Sequence, residues 1–342
     1  MPTWGEILKE LNETKNLAGT GPDFDGVRKR YVRALHELTG RAVIVYATAF
    51  LESRPIQPID LQISLADVPG FMEAASNITE RKLDLILHSP GGSAEAAESI
   101  VKYLRQRFDN LRVVVPVAAM SAATMVALAG DEIVMGQHSQ LGPIDPQFII
   151  QTPEGSRSSP AKAIINQFEL AKRQCSENTA NLTAWMPILR SYSPGLLTQC
   201  EESRQLASTM VSSWLSTYMF ADDTDGVSKA ETVANWFADY DYFHSHARRV
   251  GREQVEEKGI KVIPLEEDNA LQDAVLSVHH ATMHTFARTG AMKIIENHNG
   301  RTWARVEKQI FIPTINAPSP NPAPSGAPAL NRAERRRQQR AH

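Results

Sequence analysis

Apolar runs and amphipathic stretches alternate along the N-terminal part of the chain. After a helical segment that ends near Thr39, four short apolar blocks bounded by turn residues have the length and composition of buried strands. Between these blocks, apolar residues recur at helical spacing. The pattern predicts strands at 41–50, 83–87, 111–117 and 131–136, and helices around 68–77, 93–108 and 121–130.

From Pro160 onward the apolar pattern becomes mainly helical. A first helix carries an apolar stripe from Ile164 to Cys175, and a second helix covers about 203–220. A third helix is expected to begin near Asp268, whose short acidic side chain suits an N-cap. The C-terminal part of the fold is therefore expected to be helical.

Continuously apolar strands that alternate with helices are typical of a parallel sheet covered on both faces. The sequence thus predicts an α/β fold with a mostly parallel sheet and a helical C-terminal part. We expect an N-terminal helical segment at 1–39, an α/β core at 40–150, a helical part that completes the fold at 151–316, and a disordered Pro-rich basic tail at 317–342.

The composition is that of an ordinary globular protein, with 42% hydrophobic and 22% charged residues among 342. The last 12 residues carry five Arg against one Glu, so the overall charge of −3 leaves −7 for the rest of the chain. This acidic balance argues against a nucleic-acid partner. Cys175 and Cys200 are too few for a disulfide framework, and we expect free, buried thiols.

The sequence shows neither the apolar core of a signal peptide nor a run that approaches 18 apolar residues. We therefore expect a cytoplasmic protein without a membrane span.

The stretch LILHSPGGSAE at 85–95 places two glycines between a predicted strand and a predicted helix. Glycine permits unusual dihedrals and a close approach of another chain or ligand. Backbone N–H groups at such a corner favour anionic or polarised oxygens. The glycines fit a phosphate cradle, an oxyanion hole or a tight turn, and the absence of a following Lys-Ser/Thr pair lowers the odds of a P-loop.

Ser121 opens the next predicted helix, and an N-cap role would explain it without any chemistry. A nucleophilic serine requires an exposed hydroxyl, backbone donors for the oxyanion and a base within reach. Two consecutive parallel βα units place Gly91, Gly92 and Ser121 at equivalent corners on one edge of the sheet. We therefore expect the N–H groups of Gly91, Gly92 and Ala122 to form an oxyanion hole beside Ser121.

These residues also resemble a known family. The segments SPGGSAEAAESIV, AMSAATM, GDEIVM and SQLGPIDPQ are similar to the Clp protease/crotonase superfamily, most closely to serine dehydrogenase proteinases and signal-peptide-peptidase-like serine proteinases. The resemblance covers roughly 40–150 and continues in KIIENHNGRTW at 293–303. It implies repeated ββα units, a glycine loop that forms the oxyanion hole, Ser121 as nucleophile and assembly into a homo-oligomer.

The general base is less clear from the sequence. Clp-type relatives use a Ser-His-Asp triad, but the position of the Clp histidine falls at Ile144 or Asp145. Signal-peptide-peptidase-like relatives use a lysine some 40 to 50 residues after the serine, a window that contains Lys162 and Lys172. Helical phase places Lys172 within the apolar stripe, where burial would lower its pKa. We rank Lys172 first, then Lys162, then the loop residue His138.

Other histidines give weaker signals. His280 and His284 have metal-ligand spacing, but no Glu adjoins the first and no third ligand is evident, so a packed or surface helix explains them better. His244 and His246 lie in the segment FHSHARRVGREQVEEKGIKV, which resembles the C-terminal segment of superfamily members and has no assigned mechanism.

The sequence therefore predicts a serine endopeptidase that forms an acyl-enzyme on Ser121 and uses neither a metal nor another cofactor. Its expected partners are a peptide or protein substrate and further copies of the chain. The need for an ATP-dependent unfoldase stays open, and any such unfoldase must be a separate chain, because this one has no ATPase motif. Two alternatives stay open. One is a crotonase-like acyl-CoA enzyme with Asp145 as base, and the other is an oligomeric scaffold without activity.

Overall fold

The computed structural model of the protein describes residues 3–152 and 155–307. The helices are α1 Trp4–Glu13, α2 Phe24–Thr39, α3 Pro58–Leu61, α4 Val68–Ala75, α5 Ala94–Arg107, α6 Ala122–Leu128, α7 Ala161–Glu177, α8 Asn181–Leu189, α9 Leu196–Thr217, α10 Gly226–Phe237, α11 Tyr240–Phe243, α12 Arg252–Glu257 and α13 Asn269–Arg288. The strands are β1 Ala42–Thr48, β2 Lys82–His88, β3 Asn110–Val115, β4 Ala118–Ala119, β5 Glu132–Met135, β6 Gln140–Leu141, β7 Gln147–Thr152, β8 Gly155–Pro160, β9 Val250–Gly251, β10 Val262–Pro264, β11 Ala291–Asn297 and β12 Thr302–Val306.

The central sheet is mostly parallel, as predicted. Within the described ranges its strand order is β10-β5-β3-β2-β1-β11-β12. The first five of these strands run parallel to one another, whereas β11 and β12 pair in antiparallel fashion at one side. The predicted fold class, an α/β fold with a parallel sheet, is confirmed.

Helices cover both faces of this sheet because its strands are apolar on both sides. On one face, Val43, Val45 and Ile86 pack with residues of α2 and α13. On the other face, the alternate strand residues, such as Leu85, pack with α4, α5, α6, α9 and α10. Asp84 of β2 is also fully buried, and it is held there by ion pairs with Arg41 and Arg112.

The C-terminal part differs from the helical expectation for 151–316. It contains the hairpin β7–β8, the short strand β9, and three strands of the central sheet, β10, β11 and β12. The described residues up to Glu307 form one compact unit. The predicted segment boundaries at 39 and 150 stay predictions. The predicted tail at 317–342 lies outside the described residues.

The helix predicted near Asp268 is confirmed, since the Asp268 carboxylate accepts hydrogen bonds from the N–H groups of Ala270 and Leu271.

Both cysteines are free; Cys200 is buried as expected, whereas Cys175 is half-buried. Among the described residues, none of the helices combines the length and the apolar character that crossing a membrane requires.

Candidate active site

The glycine corner after β2 and the serine corner after β4 are in direct contact. The Met120 N–H donates to the Ser89 carbonyl at 3.0 Å, which joins the two corners through their backbones. A Cβ atom on Gly91 would lie 2.4 Å from the Met120 carbonyl oxygen and 2.7 Å from Ser121 Cβ. Because no side chain fits at position 91, and because Gly91 has a φ of 92°, only glycine permits this approach. The predicted convergence of the two corners is therefore present.

Ser121 has a backbone conformation that few serines adopt. Its φ of 52° and ψ of −122° lie outside the regions open to most residues with a side chain. Such a conformation costs on the order of 1–3 kcal/mol and is concentrated at functional sites. Ser121 precedes α6 in the N-cap position, yet its side chain makes no capping hydrogen bond. The simple capping explanation of this serine is therefore wrong.

Two of the three predicted oxyanion donors belong to residues that line the cavity beside Ser121. Gly92 and Ala122 line this cavity, and within the described residues neither backbone N–H has a hydrogen-bond acceptor. The Gly91 N–H, in contrast, donates to Ser89 Oγ at 3.2 Å. The Gly91 N–H is thus engaged within the glycine corner, whereas those of Gly92 and Ala122 are available to a ligand.

The cavity has a volume of about 440 Å³, a size typical of ligand-binding sites. Apolar side chains from α6, α9 and the β7–β8 hairpin form much of its wall, among them Met125, Leu206, Phe148 and Ile149. The sequence reading did not predict this hairpin, although 147–152 is rich in strand-forming residues and is followed by the turn-type stretch PEGS. The apolar walls suit a side chain of a bound peptide, and backbone N–H groups without an acceptor suit the carbonyl next to that side chain.

His246 reaches the same cavity and is paired with a buried carboxylate. Its ring lines the cavity together with Ser121, and its Nδ1 lies 2.7 Å from Asp145 Oδ1. Asp145 is 2% exposed, and its Oδ2 accepts a hydrogen bond from Gln147 Nε2 at 2.8 Å. A carboxylate at Nδ1 places the ring proton there and leaves Nε2 able to accept a proton.

A small three-stranded sheet explains how these residues meet. Its order is β4-β6-β9, with Leu141 opposite Val250 in an antiparallel register. Asp145 follows Leu141 by four residues and His246 precedes Val250 by four, so the same register places them opposite each other. Parallel pairing of β4 with β6 brings the Ser121 corner alongside.

The sequence analysis names both members of this pair but does not predict that they meet. It assigns no mechanism to His246, and it gives Asp145 as the base of the alternative acyl-CoA enzyme. The two residues are 101 positions apart, and strands of two residues leave no periodic signal to reveal their pairing. The available signal was the resemblance of the segment around His246 to superfamily members.

The expectation that Lys172 lies on a buried face is wrong. Its side chain is 66% exposed and pairs with Glu169 at 3.5 Å. The true stripe of α7 consists of Ala161, Ile164 and Ala171, so Lys172 lies just outside it. Lys172 therefore lacks the burial expected of the general base.

Lys162 and His138 are also placed away from the cavity lining. The Lys162 ammonium lies 4.0 Å from the Asp241 carboxylate. His138 is exposed, and a Cβ on Gly136 would lie 2.8 Å from its ring, beside Glu266. The other histidine pair, His280 and His284, packs against the ring of Trp4, as expected for a packed helix.

Among the described residues, one group has the composition of a metal site, namely His36, Glu80 and His298, whose ligand atoms lie within 4.8 Å of one another. The two rings stack at 3.9 Å with an angle of 16°, so their nitrogen lone pairs run side by side rather than converging on one point. The Val43 N–H donates to His298 Nδ1 at 3.1 Å, which leaves the proton of a neutral ring on Nε2. This geometry does not favour coordination, and the group lies at the sheet edge opposite Ser121.

Comparison with known proteins supports the resemblance found in the sequence. Residues 53–180 match the family described as ClpP-like SDH-type serine proteinase. Two proteins of Methanocaldococcus jannaschii are similar: Uncharacterized protein MJ0137 is 47% identical over 92 residues, which are 27% of this chain and 32% of that protein. Uncharacterized protein MJ1495 is 28% identical over 241 residues, 69% of this chain and 71% of that protein. The chain thus spans about a third of the length of the first relative.

Two solved structures of mutants of the 1510-N membrane-bound stomatin-specific protease are also similar. The first has a TM-score of 0.36 and 17% identity, over 59% of this chain and 74% of that chain. The second, in complex with a substrate peptide, has a TM-score of 0.35 and 18% identity, over 59% of this chain and 70% of that chain. The resemblance found in the sequence thus agrees with the match of residues 53–180 to the ClpP-like SDH-type serine proteinases.

Proposed function

We propose that this protein is a serine peptidase in which Ser121 is the nucleophile and His246, held by Asp145, is the general base. The observation that carries this proposal is the cavity that Ser121, Gly92, Ala122 and His246 line together. It contains a nucleophile, two N–H donors and a base backed by a carboxylate, which are the parts that acyl transfer needs. The function is that expected from the sequence, but the proposed base is a histidine instead of a lysine.

In the proposed reaction, Ser121 Oγ attacks the carbonyl carbon of the substrate while its proton passes to His246 Nε2. The carbonyl electron pair moves onto oxygen, which accepts hydrogen bonds from the N–H groups of Gly92 and Ala122. When the tetrahedral intermediate collapses, the C–N bond breaks and His246 returns the proton to the leaving amine. Water then attacks the acyl-enzyme with His246 again as the base, and Ser121 is released.

Asp145 is better suited to orient His246 than to act on a substrate directly. Both of its oxygens are engaged, by His246 and by Gln147, and it does not belong to the cavity lining. The alternative of an acyl-CoA enzyme with Asp145 as base therefore receives no support from this geometry. A peptide or protein substrate and a homo-oligomeric assembly stay part of the proposal.

The test is labelling with a fluorophosphonate probe, followed by peptide mapping, in parallel with cleavage of denatured casein. Ser121→Ala should lose the label and lower kcat on the order of 10⁶-fold, because the covalent intermediate no longer forms. Ser203→Ala is the matched control, because Ser203 lines the same cavity but has no part in the mechanism. A label that persists in Ser121→Ala, or that maps to Ser203, would refute the assignment.

A further inference from the structure

A fully buried ion pair lies beneath the glycine corner. Lys293 of β11 and Asp67, which precedes α4, are each 0% exposed, and Lys293 Nζ lies 3.0 Å from both carboxylate oxygens. Burial lowers the pKa of Lys293, while Asp67 acts in the opposite direction. Removing two charges from water is costly, and their attraction often repays this cost only in part. The pair is therefore weak evidence for stability alone, and its other contacts are informative.

These contacts hold the short extended segment 62–64 in place. The Lys293 ammonium donates to the carbonyl of Gln62, and Asp67 Oδ2 accepts from the Ser64 N–H at 2.9 Å. The same oxygen accepts from the Tyr46 hydroxyl at 3.0 Å. The ion pair thus binds backbone groups on both sides of Ile63 and holds that residue from two directions.

Ile63 in turn holds the glycine corner. Its N–H donates to the Gly91 carbonyl at 2.7 Å, and its carbonyl accepts from the Ser93 N–H at 3.0 Å. In such a parallel bridge, the residue between the two bonded groups directs its own N–H away from the partner strand. Gly92 is that residue, and it lines the cavity beside Ser121. A Cβ on Gly92 would lie 2.3 Å from the Ile63 carbonyl oxygen, so the two segments are in close contact.

We propose that Lys293 and Asp67 are positioning residues that aim the Gly92 N–H at the oxyanion through Ile63. This inference rests on the proposed peptidase function. A donor that is misaimed by a fraction of an ångström still binds the ground-state substrate but stabilises the transition state less. Loss of the ion pair should therefore lower kcat and leave KM nearly unchanged.

The structure offers a matched control on the same strand. Glu296 of β11 is also 0% exposed and forms a buried ion pair with Arg28. The described contacts of this second pair are with Thr285, Asp25 and Thr302, not with the segment around Ile63. Glu296→Gln and Asp67→Asn thus remove equivalent charges, but only the second removal affects the glycine corner.

The experiment compares the full-length Asp67→Asn and Glu296→Gln variants by steady-state kinetics, urea unfolding and affinity for a peptide aldehyde that mimics the tetrahedral intermediate. Asp67→Asn should lower kcat about 10- to 100-fold, a loss no larger than that for deleting an oxyanion donor. Its KM should change less than about twofold, and aldehyde affinity should fall in parallel with kcat/KM. Glu296→Gln should lose stability but keep kcat within about twofold.

If Asp67→Asn does not fold, Tyr46→Phe provides a milder perturbation, because it removes the hydroxyl that bonds Asp67 and also Ser89 of the glycine corner. It should lower kcat about 2- to 10-fold, again without a change in KM. The inference is overturned if both variants keep full kcat, or if Glu296→Gln lowers kcat as much as they do. The proposed function fails separately, if the wild-type protein is not labelled at Ser121.

Discussion

Two regions form the candidate site, and the chain builds them in different ways. One is the contact between the glycine corner and the serine corner, called the Gly92–Ser121 corner below, and the other is the Asp145–His246 pair. The corner joins two βα connections of the central sheet that lie close in sequence, and its backbone contacts are short and numerous. The pair joins two loops 101 residues apart, and the strands whose register brings these loops together, β6 and β9, have two residues each. One half of the site is thus built on connections of the central sheet, while the other depends on long-range loop placement.

The two regions also have different tasks in the proposed reaction, since one supplies the oxyanion donors and the other the base. Donors that face the oxyanion must already be aimed when charge develops, so they gain from a rigid backbone. A base must accept a proton from Ser121 and return it to the leaving group, and it is placed by one carboxylate contact. Changes in the loop pair should therefore affect catalysis strongly while leaving the sheet intact.

The largest expected effect outside Ser121 itself tests the loop pair. His246→Ala should lower kcat on the order of 10⁶-fold and Asp145→Asn about 10⁴-fold, because the first removes the base and the second its orientation. His246→Ala should also lower the temperature of thermal unfolding, because the buried Asp145 carboxylate loses its histidine partner and keeps the hydrogen bond from Gln147. Steady-state cleavage of a fluorogenic peptide measures both losses.

The control for this experiment is His244→Asn. His244 is exposed and has a φ of 57°, a conformation that Asn tolerates. It should retain kcat within about twofold. If His246→Ala also retains kcat within tenfold, the histidine is not the base and the loop half of the comparison fails.

The sequence predicted the corner but not the pair, for a physical reason. Strand length, helical spacing and glycine preferences are local properties, and they located β2, β3, α5, α6 and the contact between Gly91 and Ser121. The pairing of β6 with β9 depends on the course of the chain between them, which leaves no local signal. The prediction that Lys172 is buried was wrong because the buried residues of α7 form a narrow stripe of three. A small error in the angle assigned to a residue around the helix axis is therefore enough to place an exposed side chain in the core.

A smaller effect is expected on the free energy of unfolding when the pH falls, because a buried histidine lies at the end of β2. His88 of β2 is 1% exposed, and its ring contacts those of Phe50 and His279. Burial lowers the pKa of His88 from 6.5 to about 4, and burial also lowers the pKa of the neighbouring His279. Because the unfolded state binds the proton more readily, this contribution to stability is present above about pH 6.5 and is lost as pH falls towards 4.

The measurement is urea unfolding at about pH 7 and about pH 5. For His88 alone, we expect the free energy of unfolding to fall by about 2 kcal/mol between these values. His88→Leu should remove that share of the pH dependence and leave the part due to His279. His138→Asn is the control, since His138 is exposed. An unchanged pH dependence in His88→Leu would contradict the assignment.

The smallest expected effect tests whether the Asp145–His246 pair or a lysine of α7 supplies the base. Lys172→Ala and Lys162→Ala should each keep kcat/KM within about twofold and stability within about 0.5 kcal/mol, because both ammonium groups pair with exposed carboxylates outside the cavity. Parallel kinetics of the two variants, with Ser121→Ala as the inactive reference, provide the measurement. A loss of about 10⁴-fold in either variant would place the proton acceptor on α7. That result would require α7 to move towards Ser121 when substrate binds, and it would reduce the Asp145–His246 pair to a structural contact of the small sheet.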